Sequence, residues 1–216
     1  MRRAGEYHRA ALVHGIRSVT GLETTTDGIP LHGMLDPVIL TLMIRHAGGS
    51  LKLARESMPK IMRVAERYYL KVCPAIHEKH CPAVEETLAR LERRGVLLGL
   101  VTGNLTRIAW RKLERAGLAK YFEFGAFGEM AATRTRLAKL ALREARSRGW
   151  ITKEAPAALV GDAPSDVEAA RGAGIVSIAV RTGITPVAEL EARNPDYLLR
   201  NLREFRLGMV GMGRTR

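Results

Sequence analysis

From Cys81 to its end the chain alternates helical and strand-like segments, and no other feature limits its possible folds as strongly. The spacing of apolar residues predicts helices over 83–94, 106–116 and 136–148, and strands over 96–101, 122–127, 157–160, 176–180 and 197–199. Gly95, Gly117, Gly172 and Gly174 supply the helix stops that such a succession needs. Repeated helix and strand alternation specifies a parallel sheet covered by helices on both faces. The preceding stretch has a different character. Ala10, Val13, Ile16 and Val19 share one helix face that ends at Gly21, residues 37–47 predict a second helix, residues 51–72 one or two more, and "ETTTDGIPLHG" reads as a loop. The expected organisation is a helical lid domain over 1–80 attached to an α/β core over 81–216.

Open α/β sheets bind their ligands beyond the carboxyl ends of the strands, so the residues that follow two apolar strands carry the functional reading. In "LVGDAPSDVEAA" the strand ends at Gly161-Asp162, and Ser165 with Glu168 fits a capping box that starts a helix near Asp166. Asp162 and Asp166 then face one crevice, and paired hard oxygens suit Mg²⁺. In "VLLGLVTGN" Thr102 can donate to a phosphate oxygen, Gly103 permits close backbone approach, and Asn104 leads into a helix with free N–H groups. Arg134 lies between the two motifs in sequence and is the candidate for a fixed positive charge. The same residues also admit plain structural readings: turn and helix-start acids for Asp162 and Asp166, turn and cap for Thr102 and Asn104, and a solvated helix-start arginine for Arg134.

Together these stretches resemble the haloacid dehalogenase superfamily, in its phosphoglycolate phosphatase-like branch with a helical cap. "LVTGN" is similar to the second motif of that family, "TRTRLAKLAL" to the third, "LVGDAPSDVEAA" to the fourth, and "IPLHGMLDPVIL" to the early cap segment. The resemblance implies a Rossmann-like parallel core with a helical cap and Mg²⁺-dependent hydrolysis of a small phosphorylated metabolite. By the same resemblance Thr102, Arg134 and Asp162 are catalytic, Thr102, Gly103, Asn104 and Arg134 hold phosphate, and Asp162 and Asp166 hold the metal. The first motif of the family, DxDGT, supplies the nucleophile and has no counterpart. The opening "MRRAGEYHRAALV" resembles the segment that follows it, Asp27 in "ETTTDG" lacks a preceding apolar strand, and Asp36 falls in the cap. The expectation is therefore an incomplete start, a missing first core strand, and hydrolysis far below that of a complete enzyme. A non-catalytic module of the same fold, binding phosphate compounds or a protein, is the alternative.

Composition bounds the rivals. The formal net charge of +13 comes from 27 arginines against 8 lysines, an excess that attracts polyanions and phosphate esters without identifying one. Nucleic acid is disfavoured because the arginines form no continuous run and aromatics make up only 5%, which leaves little for base stacking. Cys73, His77, His80 and Cys81 spell C-x3-H-x2-H-C, but nine contiguous residues wrap poorly around one zinc ion. No apolar run approaches the roughly 18 residues of a membrane span. The charged N-terminus lacks a signal-peptide core, so a cytoplasmic location is expected. Oligomeric state is not specified by the sequence.

Overall fold

A computed structural model describes residues 5–76 and 81–211. The chain divides into two units. The first comprises Met1–Lys79, Gly103–Ala119 and Phe127–Glu129; the second comprises His80–Thr102, Lys120–Ala126 and Met130–Arg216.

The first unit is built from helices α1 (Gly5–Thr20), α2 (Asp36–His46) and α3 (Leu51–Val72), together with the later helix that follows Leu105. Leu12 and Ile16 of α1, Leu40, Met43 and Ile44 of α2, and Ala54, Ile61 and Ala65 of α3 form one buried apolar cluster. Each large member of such a cluster is worth about 2–5 kcal/mol against truncation to alanine. Gly15 permits the close approach of α1 to α3, because a Cβ there would meet the Ile61 carbonyl and the Ala65 methyl. Ser50 caps α3 by accepting from Leu53 N at 3.0 Å. The helix is continuous through Pro59, which lies on its exposed side where water can serve the carbonyl that proline leaves without a donor. The stretch 21–35 is a loop with turns at Asp27-Gly28 and His32-Gly33.

The second unit is α/β with parallel strands. Helix α4 (Val84–Glu92) precedes β1 (Gly99–Val101), which pairs in parallel with β2 (Phe124–Ala126). The first-unit helix α5 (Thr106–Arg115) intervenes in sequence. Then follow α6 (Arg134–Ser147), β3 (Ala158–Gly161), α7 (Pro164–Ala173), β4 (Val176–Val180), α8 (Val187–Glu191) and β5 (Tyr197–Leu199). Strands β3, β4 and β5 form a second parallel sheet in that order.

The alternation of the sequence is therefore present, but the sheet is in two pieces. Among the described residues β1 pairs only with β2 and β3 only with β4. Two adjacent helices join the pieces: α6 packs on β1, β2 and α7, and α7 packs on β3 and β4. Val101 of β1 joins Ala138 of α6, Leu159 of β3 and Ala169 of α7 in a single apolar cluster.

Several boundaries differ from expectation for identifiable reasons. Strand β1 starts at Gly99 rather than at Val96, because Val96 N returns to Leu91 O and closes the end of α4. Helix α6 starts at Arg134 because Thr133 caps it, accepting from Arg136 N at 3.2 Å. Helix α7 starts at Pro164, whose fixed φ suits a first helical position. The short helix α8 escapes periodicity altogether. Among the described residues no helix is long and apolar enough to cross a membrane. The C-x3-H-x2-H-C stretch contains residues 77–80, which lie outside the described residues.

Candidate functional site

At the carboxyl end of β3 the chain makes a tight acidic turn into α7. Asp166 is buried there, and both of its oxygens are engaged: Oδ2 accepts from Asp162 N and Ala163 N, each at 3.1 Å, and Oδ1 accepts from Arg134 Nη1 at 2.9 Å. Asp166 therefore does the capping expected of Ser165 and Glu168, while Glu168 pairs with Arg193 at 3.1 Å. Gly161 makes the turn possible, since a Cβ at that position would run into the Asp166 carboxyl group. Burial pushes the Asp166 carboxyl above its ordinary range, and the Arg134 charge and the two amide donors oppose that rise.

Asp162 has the opposite situation. It is only partly buried, and nothing among the described residues donates to its carboxylate. Its side chain lies against the turn after β4, where a Cβ on Gly183 would collide with the carboxyl oxygen. Its own carbonyl accepts from Thr185 Oγ1 at 2.6 Å, so this turn holds Asp162 from both ends. Arg134, in the first turn of α6, keeps a spare donor: its Nε is buried and has no acceptor among the described residues.

The "LVTGN" residues are placed less uniformly. Thr102 directly follows β1 in the second unit, and its backbone N donates to Ala126 O at 3.0 Å. Gly103 and Asn104 fall in the first unit. The glycine is required there by the Met34 carbonyl, which a Cβ would strike, and its own carbonyl accepts from Asp36 N at 2.7 Å. Asn104 Oδ1 accepts from Lys112 Nζ at 2.5 Å, and its amide reaches Asp36 Oδ1 at 3.5 Å. The structure thus brings Arg134, Asp162 and Asp166 together and commits Asn104 to other partners.

Those partners belong to a buried polar network that the sequence reading missed. Asp36 is 0% exposed; its Oδ2 accepts from Leu105 N at 2.9 Å and lies 2.9 Å from His8 Nε2. Burial and the nearby Lys112 charge lower the His8 imidazole, so at neutral pH it serves Asp36 as an uncharged N–H donor. Burial alone would raise Asp36; the charge that His8 carries when protonated and its hydrogen bond, then the Lys112 charge and the Leu105 amide, outweigh that and keep it below the usual carboxylate range. Lys112 is pushed down to about 8 by burial, against the pull of Asp36, and its ammonium stands 5.7 Å from the ring centroid of the buried Tyr69.

For a divalent cation the donor set is suitable in part. Asp162 offers a hard oxygen ligand to which no described residue donates, whereas Asp166 already accepts from an arginine and two amides. No group of three or more His, Cys, Asp or Glu among the described residues could by itself hold a metal. One carboxylate completed by waters and substrate phosphate is nevertheless a common arrangement for Mg²⁺.

Comparison with known proteins places the chain among relatives. The family described as "Haloacid dehalogenase-like hydrolase" matches residues 41–180. The chain is 35% identical to the phosphoglycolate phosphatase of Synechococcus elongatus over 117 residues, 54% of this chain and 52% of that protein. It is 34% identical to the phosphoserine phosphatase of Thermus thermophilus over 165 residues, 74% of this chain and 59% of that protein. The aligned region spans about half the length of the first curated relatives it matches. Among solved structures, a CbbY variant from Rhodobacter sphaeroides in complex with xylulose-1,5-bisphosphate aligns with a TM-score of 0.69 at 20% identity, covering 96% of this chain and 93% of the other. At that identity the likeness concerns the fold.

Proposed function

The chain belongs to the haloacid dehalogenase-like hydrolases, and from that premise we propose that it binds small phosphate monoesters and serves their hydrolysis with Mg²⁺. One observation carries the reading: an acceptor-only carboxylate, Asp162, stands four residues before Asp166, whose part-buried partner Arg134 has a guanidinium donor to spare. Arg134 and the Thr102 hydroxyl would hold the phosphoryl oxygens, and Asp166 keeps the guanidinium oriented. Asp162 would hold the metal, which when bound neutralises phosphate charge and polarises a phosphoryl oxygen. Relatives named for phosphoglycolate and phosphoserine, and a fold neighbour holding a sugar bisphosphate, support a small phosphorylated metabolite as the substrate class.

Turnover also needs a nucleophile, and the 216 residues contain no DxDGT run. Binding and hydrolysis therefore separate: the residues present suffice for binding, and hydrolysis by these residues alone is expected to be many orders of magnitude below that of a complete enzyme. The engagement of both Asp166 oxygens by Arg134 and two amides, which leaves Asp162 as the carboxylate without a donor among the described residues, favours phosphate binding without turnover as the second reading.

Titration calorimetry with inorganic phosphate tests the site itself. Phosphate is expected to bind in the presence of Mg²⁺ and to lose that dependence in Asp162→Asn. In Arg134→Gln, affinity should fall roughly 10- to 100-fold, as for loss of a charge-assisted hydrogen bond. Equal phosphate affinity in the native chain and both variants would sink the assignment. Clear hydrolysis of p-nitrophenyl phosphate, abolished by Asp162→Asn, would overturn the separation of binding from turnover.

A further inference from the structure

We propose that the outer face of α6 is a binding site for the sugar–phosphate backbone of nucleic acid. Arg136, Lys139, Arg143 and Arg146 are all exposed and follow one another at intervals of three, four and three residues. Those intervals place successive side chains on one helix face, at Cβ separations of about 5–6 Å. At 1.5 Å per residue the row extends over roughly 15 Å. Lys139, Arg143 and Arg146, with Leu142, Ser147 and Ala173, line an open groove of about 550 Å³. Among the described residues no carboxylate pairs with any of the four cations. Glu144, the only acid on the helix, is held by Arg148 at 2.5 Å.

The chemistry around the row selects the partner. Of the apolar residues of α6, Leu137, Ala138, Ala141 and Ala145 are buried and Leu140 and Leu142 are half-buried, and none of the exposed large hydrophobic side chains lies on this helix. A helix that lies on a membrane needs an exposed apolar face, and a protein interface usually has an apolar centre. A nucleic-acid interface needs neither; it is polar and strongly positive. One strand of duplex carries a phosphate about every 3.4 Å along the axis, so cations spaced like these can meet successive or alternate phosphates, and three arginines supply forked donors for them. The sequence shows no basic run because helical periodicity places an apolar or small residue between successive cations. None of the four residues belongs to the candidate functional site, so this inference stands apart from the phosphatase reading.

Fluorescence anisotropy with a fluorescein-labelled single-stranded oligodeoxynucleotide is the test. The native chain is expected to bind with log K falling against log salt at a slope of roughly −3, as four phosphate contacts to a single strand imply. Replacing Arg136, Lys139, Arg143 and Arg146 together by Gln should weaken binding at least about tenfold and flatten that slope. A control replacing the exposed Lys52, Arg55, Lys60 and Arg63 of α3 by Gln lowers the net charge equally and should leave both quantities near the native values. The double variant Arg143→Gln/Arg146→Gln gives an intermediate loss and serves if the fourfold variant fails to fold. Equal weakening by the α6 and α3 variants would assign binding to bulk charge and overturn the proposal. It is also overturned if the oligonucleotide does not bind at low salt, or if phosphatidylserine vesicles capture the chain more tightly than the oligonucleotide through the same four residues.

Discussion

Lys112 shows how a single residue can couple this fold to pH. Its folded pKa is about 8, whereas an unfolded lysine keeps its proton to about 10.5. Between those values the unfolded chain binds a proton that the folded chain has released, so stability rises with pH across that window. Relative to Lys112→Met, the native chain is expected to gain up to roughly 3 kcal/mol from neutral pH to about pH 10, measured by urea denaturation of both proteins. A constant offset at every pH would count against this. The network behind the effect was hidden in the sequence, because it joins His8, Asp36, Asn104 and Lys112 over separations of 28 and 68 residues that no local pattern reports. Asp162 and Asp166 were legible for the opposite reason: they share one turn and one helix start. The Arg134–Asp166 contact joins residues 32 apart, and the sequence offered the two only as separate candidates.

At the scale of elements, legibility followed the strength of the local signal. Strand β4 and the short β5 have the bounds their apolar runs predict. Helix starts were harder, because competing caps sit within a few residues of one another. Ser165 offers a hydroxyl, yet Pro164 prefers the first helical position, which moves the start upstream and gives the capping to Asp166. The start of α6 depends on Thr133 in the same way. Thr133→Ala is expected to lower unfolding stability by about 1 kcal/mol, read from the denaturation midpoint, without affecting β4 or β5. An unchanged midpoint would show that packing alone fixes this helix. Sheet pairing was not legible, since parallel partners lie far apart in sequence and an apolar run does not name its neighbour.

In the second unit as a whole, two sheets with no strand pairing between them among the described residues share the layer formed by α6 and α7. Opening of α6 would uncover β1, β2 and the cluster that includes Leu159 together. Hydrogen exchange followed by mass spectrometry should therefore give the amides of β1 and β3 the same opening free energy, and distinct protection classes for the two would refute this coupling. The same division leaves a flank of β1 and a flank of β3 without a strand alongside among the described residues, and Val160 of β3 is 43% exposed. Strand flanks without a partner, next to an exposed β-branched side chain, favour pairing with another chain. As the protein is concentrated, the main chain of a neighbouring copy becomes their most available complement, so light scattering is expected to rise with concentration while the far-UV circular dichroism of the fold stays unchanged.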